Sequence, residues 1–254
     1  IKIDLKYRHT NAKDIDSSSK ADELSIGIHS NIKRGLDIGG GLGYASLKND
    51  RSTELITGYL KMDFKIFSGT MGIGFIKESF VDTSEIIDKG IRVYNINTYL
   101  SQRLTDRWSI YGGYIYRDFS DTNHSHDFRL SPIYKLFTKN PHFSIGYTFR
   151  YLNFDRQSRG GYFDPEKFFS HQLTLYLNYE KNKFYLYMEP YAGYQTYERY
   201  GESQSGFYGG GAGRFGYKLS DSTSLELTGE GSNYAATAVG WRYYTIGFKI
   251  KSLF

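Results

Sequence analysis

Residues Trp241 to Phe254 read WRYYTIGFKIKSLF, and this stretch decides the fold. Every second residue from Tyr244 runs Tyr244, Ile246, Phe248, Ile250, Ser252, Phe254; between them stand Tyr243, Thr245, Gly247, Lys249, Lys251 and Leu253. A period of two with one mostly apolar and one mostly polar side is a β-strand lying between two different solvents. The pattern recurs upstream. His142 to Asn153 alternates Phe143, Ile145, Tyr147, Phe149 and Tyr151 with Ser144, Gly146, Thr148 and Arg150. Lys183 to Tyr197 alternates Phe184, Leu186, Met188, Pro190, Ala192 and Tyr194 with Tyr185, Tyr187, Glu189, Tyr191, Gly193 and Gln195.

Composition narrows the class. The 254 residues include 28 Gly, 25 Tyr and 18 Phe but 4 Pro and no Cys, where a soluble domain leans on Leu, Ala and Val. A mean hydropathy of −0.52 suits a strand-built membrane protein, because a spanning strand needs only half its residues apolar and wet loops dilute the average. No apolar run approaches the roughly 18 residues of a spanning helix. The absence of Cys removes disulfides and thiolate metal sites from consideration. A net charge of +5 with both signs mixed throughout shows no one-faced basic patch, so nucleic acid is not an expected partner.

Turn chemistry sets the strand count. Short turns fall near Lys33 to Gly35, Lys65 to Gly69, Thr105-Asp106, Thr138 to Pro141, Glu180 to Lys183 and Ser220 to Ser222. Longer polar stretches fall at Thr10 to Ala21, Lys48 to Ser52, Ser79 to Gly90, Ser120 to Ser125, Asp155 to Glu166, Glu198 to Ser205 and Asn233 to Gly240. Their strict alternation predicts a single domain over residues 1–254, an all-β transmembrane antiparallel up-and-down barrel of about 14 strands. Both termini fall on the short-turn side, which is the periplasmic side of such a barrel. A β-sandwich would show the same alternation. Two features favour the barrel: Tyr and Trp at strand ends (Tyr44, Trp108, Tyr116, Tyr151, Tyr179, Tyr244), and glycines on the apolar face (Gly40, Gly58, Gly112, Gly209, Gly211) that would leave voids in a packed core. The chain opens on a strand with no signal peptide, as expected of a mature form or the carboxy-terminal part of a longer precursor.

The opposite, inward side would line a lumen too wide for side chains to fill. It carries Tyr59, Tyr99, Tyr111, Tyr176, Tyr185, Tyr187, Tyr191 and Tyr208 beside Arg117, Arg150, Glu189 and Arg214. Tyr offers a ring to the C–H face of a sugar and a hydroxyl at its edge, so these residues are the expected substrate path. An equally direct reading is that Tyr pairs across strands and the charges form ladders that stiffen the wall. No cofactor or metal is expected. His124-Ser125-His126-Asp127 sits in a loop running into a strand, and the period of two turns Ser170 and His171 to opposite faces, so neither constellation makes an enzyme.

The loop Arg159 to Ser170 reads RGGYFDPEKFFS, in which Gly160, Gly161, Tyr162, Phe163, Pro165, Glu166 and Phe168 match a Gly-Gly-Tyr-aromatic-x-Pro-Glu/Gln-x-aromatic segment. That segment resembles one in the outer-membrane export subunit of the cellulose synthase operon and in related exopolysaccharide exporters with tetratricopeptide repeats. The final strand, ending on Phe254, likewise resembles the closing strand of bacterial outer-membrane barrels, with Phe248, Ile250 and Phe254 as the signal read by the barrel-assembly machinery. The resemblance implies a sixteen-stranded barrel in outer-membrane lipid, a polysaccharide cargo, an amino-terminal periplasmic repeat domain and an inner-membrane synthase. The alternatives are a small-solute porin and a plugged surface receptor or adhesin. Gly160, Gly161, Tyr162, Phe163 and Pro165 would either fold into the lumen mouth as a gate or anchor the outer interface.

Overall fold

The computed structural model describes residues 2–13, 18–33, 35–48, 52–79, 84–158, 160–220, 223–233 and 243–252. They form one 14-stranded antiparallel sheet in which each strand pairs with the next in sequence. The strands are β1 (Lys2–Lys13), β2 (Ser18–Lys33), β3 (Leu36–Lys48), β4 (Ser52–Ile66), β5 (Gly69–Ser79), β6 (Arg92–Arg103) and β7 (Trp108–Phe119). There follow β8 (His124–Phe137), β9 (His142–Phe154), β10 (Lys167–Lys181), β11 (Phe184–Arg199), β12 (Glu202–Lys218), β13 (Thr223–Ser232) and β14 (Tyr243–Ser252). A six-residue helix, α1 (Ser84–Lys89), lies between β5 and β6.

Connections at one rim are tight. Ile66 pairs with Gly69 and Lys181 with Phe184, leaving two-residue turns in which Phe67 and Asn182 hold φ of 45° and 54°. Left-handed conformations of this kind match the right-handed twist of the flanking strands. The other rim departs from the sequence expectation in three places. Thr10 to Ala21 is largely ladder, with Thr10 opposite Ala21 and Lys13 opposite Ser18. Glu198 to Ser205 is also ladder down to the Arg199–Glu202 pair, and Tyr200 and Gly201 (φ 56° and 78°) make the turn. Polar side chains outside the apolar band do not stop a ladder, because wet strands tolerate them on both faces. The third departure is α1 itself, inside the expected Ser79 to Gly90 loop. Most of the Asn233 to Gly240 stretch lies outside the described residues.

The two faces are inverted relative to a soluble sheet. Leu42, Ile56, Phe207 and Phe248 are 69, 66, 85 and 66 % exposed on one face. Asn95, Ser125, Asp127, Ser170, Thr174, Gln195 and Glu226 are buried on the other. Large apolar residues ordinarily go inside and charged ones outside. Here the reverse arrangement follows strand after strand.

The polar face is concave. On one side of α1, Ile87 packs with Ala21, Ala45, Leu47 and Leu55 from β2 to β4, and Ser19 Oγ donates to Asp88 at 2.7 Å. On the other, Ile86 joins Val93, Phe119, Leu152, Phe154 and Phe168 from β6 to β10. On a flat sheet β3 and β9 would stand about 29 Å apart, six spacings of roughly 4.8 Å. A six-residue helix spans only about 9 Å. The sheet must therefore wrap around α1. Among the described residues β1 and β14 share no ladder, so the wrap is visible without a seam.

Candidate functional site: a capped, tyrosine-lined concave face

The Gly160–Pro165 segment packs against residues of the concave face. Tyr162 and Phe163 are 1 and 6 % exposed, within a cluster that includes Ile86, Phe119, Phe154 and Phe168. The Tyr162 ring stacks on Phe119 with centroids 4.8 Å apart and planes within 9°, and Phe163 meets Phe168 and Tyr197 edge-on. The Tyr162 hydroxyl donates to Asp121 Oδ2 (2.8 Å) and accepts from Ser158 Oγ (2.8 Å) and Asn123 Nδ2 (3.0 Å). Burial, with Asp121 adding to it, pushes this hydroxyl above its ordinary range and keeps it neutral. Buried Asp164 accepts from Arg199 Nε at 3.1 Å, while Arg199 also donates to the Tyr162 carbonyl at 3.0 Å. Gly161 has φ of 85° and lies against the Glu85 side chain of α1, so a side chain here would meet both backbone strain and a neighbour. Loop and helix together make a packed cap over the end of the concave face.

Below the cap the inward tyrosines follow one plan. Tyr99 of β6 lies over Gly72 of β5 and donates to Asp63 of β4 at 2.7 Å. Tyr191 of β11 lies over Gly210 of β12 and donates to Ser232 of β13 at 2.6 Å. Tyr208 of β12 crosses Gly193 of β11 to Gln172 of β10, and Tyr59 of β4 crosses Gly41 of β3 to His29 of β2. Each is a rung over three strands, made possible because the middle residue has no Cβ. Tyr185 over Gly216 and Tyr176 beside Gly146 repeat the ring-on-glycine half of the plan. The rings lie along the wall.

The densest cluster of charge among the described residues surrounds Asp127. Asp127 of β8, with a fully buried side chain, accepts from Arg150 Nε at 2.9 Å and Nη2 at 2.8 Å in a two-pronged pair. Arg117 reaches the same carboxylate at 3.4 Å, and Arg129 at 3.2 and 3.4 Å. Beside them a recess of about 310 Å³ is lined by Tyr59, Lys61, Asn97, Tyr99, Tyr111, Asp127 and Arg129 among others. Tyr99 and Tyr111 stack at 6.3 Å, and Lys61 pairs with Asp63 at 2.8 Å. A smaller adjoining recess of about 160 Å³ shares Tyr59 and carries Glu23 and Glu78.

A second patch lies on β10 to β13. Tyr187 donates to Glu189, the Arg214 guanidinium stands 5.6 Å over the Tyr187 ring, and Arg214 pairs with Glu226 at 3.6 Å. The expected path residues thus all fall on the concave face, but in two groups. Tyr59, Tyr99 and Tyr111 line the recess, and Arg117 and Arg150 pair with Asp127, which also lines it; Tyr176, Tyr185, Tyr187, Glu189, Tyr191, Tyr208 and Arg214 form the second patch. Sequence reasoning did not single out Asp127, Arg129, Ile86, Ile87 or Arg199 as site residues. Asp127 and Arg129 carried a signal, as inward charges two apart on a strand next to Arg150. The period of two also holds at the histidines: His124, His126 and His171 point outward to Tyr116, Tyr114 and Tyr147, while Ser125, Asp127 and Ser170 point inward. Phe248 is outward and exposed, Ile250 pairs with Leu225 in the ladder, and Phe254 lies outside the described residues.

No family model and no curated protein sequence matches the chain. The fold does have a likeness among solved structures. One described as a bacterial polysaccharide outer membrane secretin superposes with a TM-score of 0.68 at 12 % identity, covering 99 % of this chain and 98 % of that one. At that identity the likeness is one of fold.

Proposed function

We propose that the chain closes into a transmembrane β-barrel in the bacterial outer membrane and conducts a polysaccharide outward, with the cap as a closed gate. The observation that carries this reading is the inversion of faces: large apolar side chains stand exposed outward while charges and tyrosines line the concave side. Exposed apolar residues on strand after strand fit hydrocarbon rather than water. Outward Tyr–His pairs and the tilted Trp108–Tyr134 pair fit the aromatic girdles of such a wall. Support for the cargo comes from the fold of the polysaccharide secretin and from the tyrosine-lined wall. That likeness speaks for outer-membrane polysaccharide export in general and does not distinguish the cellulose synthase operon subunit. A non-catalytic conduit of this kind would be fed at its short-turn rim, the rim a periplasmic repeat domain and an inner-membrane synthase would face.

Single-channel recording in a planar bilayer tests the reading. The refolded barrel should be mostly silent and should conduct once residues 156–163 are replaced by a short Gly-Ser linker. Neutral and charged oligosaccharides should then interrupt the current. Current indifferent to every sugar would point to a small-solute porin, and a folded barrel silent even without the segment would point to a plugged receptor.

A further inference from the structure

We propose that the recess between β4 and β8 is a binding subsite for an acidic saccharide, a uronic-acid type of residue whose carboxylate sits against Arg129, which lines the recess beside Asp127. The proposal rests on the polysaccharide conduit and names the class of its cargo.

Charge balance is the first argument. Asp127 is satisfied by the two-pronged pair with Arg150, which leaves Arg117 and Arg129 at its margins, at 3.2 to 3.4 Å. Three guanidiniums share one carboxylate, and Lys61 is balanced by Asp63. Counting the recess lining and the side chains ion-paired to it, four cations thus meet two carboxylates. Guanidiniums held this close repel one another, and a carboxylate entering beside them supplies both counter-charge and planar acceptors. Glu23 and Glu78 lie in the adjoining recess on the β2 and β5 side, so they turn an incoming carboxylate toward β7 to β9.

The rest of the wall suits a sugar. Tyr99 and Tyr111 form a stacked pair and Tyr59 adds a third ring, giving apolar surface for the C–H face of a pyranose. Asn97 lines the same recess, and its Oδ1 is buried with no hydrogen-bond partner among the described residues. A buried acceptor left unpaired is costly, and a sugar hydroxyl would satisfy it. The volume, about 310 Å³, lies at the lower end of the roughly 300–1,000 Å³ typical of ligand pockets.

The test uses the refolded full chain in detergent, titrated calorimetrically with oligogalacturonate, a malto-oligosaccharide of equal length, and inorganic phosphate. The titrations are repeated with Phe163→Ala, so that the cap does not limit access. Oligogalacturonate should bind about tenfold or more tightly than the neutral oligomer, and salt should erode the difference. Arg129→Gln should remove most of that preference with little change in neutral-sugar binding, and Arg129→Lys should restore part of it. The Arg129 side chain is 43 % exposed, so neither change threatens the wall. Equal binding of the two oligomers, in both the parent and the Phe163→Ala protein, would overturn the acidic class and leave the conduit standing. Phosphate binding as tightly as oligogalacturonate would reduce the site to a plain anion site and also overturn it. No binding of either oligomer to a folded barrel would sink both this proposal and the polysaccharide reading.

Discussion

The cap and the wall are built on different physics. The cap has the kind of interior a soluble protein has: Phe119, Phe154, Tyr162, Phe163 and Phe168 pack ring against ring around Ile86, with buried polar groups closed by Asn123, Asp121 and Arg199. Away from α1 and the loop, the described residues of the wall form no such aromatic interior. The wall is held by strand-to-strand ladders, by tyrosines laid over glycines, and by ion pairs such as Arg150 with Asp127. Two elements stabilised by separate means can be loosened separately, as the proposed gate would require.

Breaking the cap should have the largest effect and leave the wall intact. Phe163→Ala removes a ring in contact with Phe168, Tyr197 and the Arg199 guanidinium, and should cost the cap about 3–5 kcal/mol. Hydrogen exchange should rise in residues 155–166 and 84–90 while the β9 to β12 ladders stay protected. Loss of protection throughout would mean that cap and wall are one cooperative unit.

The converse change strikes the wall. Asp127→Ala leaves three guanidiniums facing one another without their carboxylate. Breaking a buried pair costs about 3–5 kcal/mol, but Arg129 is half-exposed and can rehydrate, so roughly 2–3 is expected here. The midpoint of urea unfolding in detergent should fall, with cap and ladders lost together. An unchanged midpoint would show that water on the concave face sustains the cluster.

A finer comparison lies within the wall. A methyl at Gly72 falls on the Tyr99 ring, so Gly72→Ala must push Tyr99 away from Asp63, at about 1–3 kcal/mol. Gly206 in β12 has nothing within 4 Å of an added Cβ, and Gly206→Ala should change stability by no more than about 0.5 kcal/mol. Equal effects at the two sites would mean that the rungs contribute nothing beyond backbone.

These contrasts track what the sequence could disclose. Face assignment was legible because the period of two is local: Phe248 outward and Arg150 inward follow from their neighbours in the chain. Rungs were not, because Tyr99 finds Gly72 and Asp63 only once the register of β4, β5 and β6 is fixed. Arg117, Arg129, Arg150 and Asp127 stood in the sequence as separate inward charges on three strands, and pairing of Gly113 with Arg129 and Arg129 with Arg150 assembles them. The helix SEIIDK was hidden for another reason. Six residues carry no readable period, and Ile86 and Ile87 hold it by tertiary packing on opposite sides.

The smallest expected effect separates the cap's polar lock from its aromatic core. Tyr162 ionises near pH 10 in an unfolded chain, and in the closed cap burial moves that ionisation higher. A group whose folded pKa is raised contributes its stability fully below the unfolded value and loses it as pH climbs past that value. The cap should therefore stay shut through neutral pH and loosen progressively above about pH 10, read as faster proteolysis near Arg156. Tyr162→Phe keeps the stack on Phe119 but strands Asp121 and Asn123, and should cost roughly 1–2 kcal/mol at neutral pH. It should also flatten the alkaline loosening, because the titrating hydroxyl is gone. If the variant kept the same alkaline profile, the loosening would not come from Tyr162, and the phenol would serve the cap only as a ring.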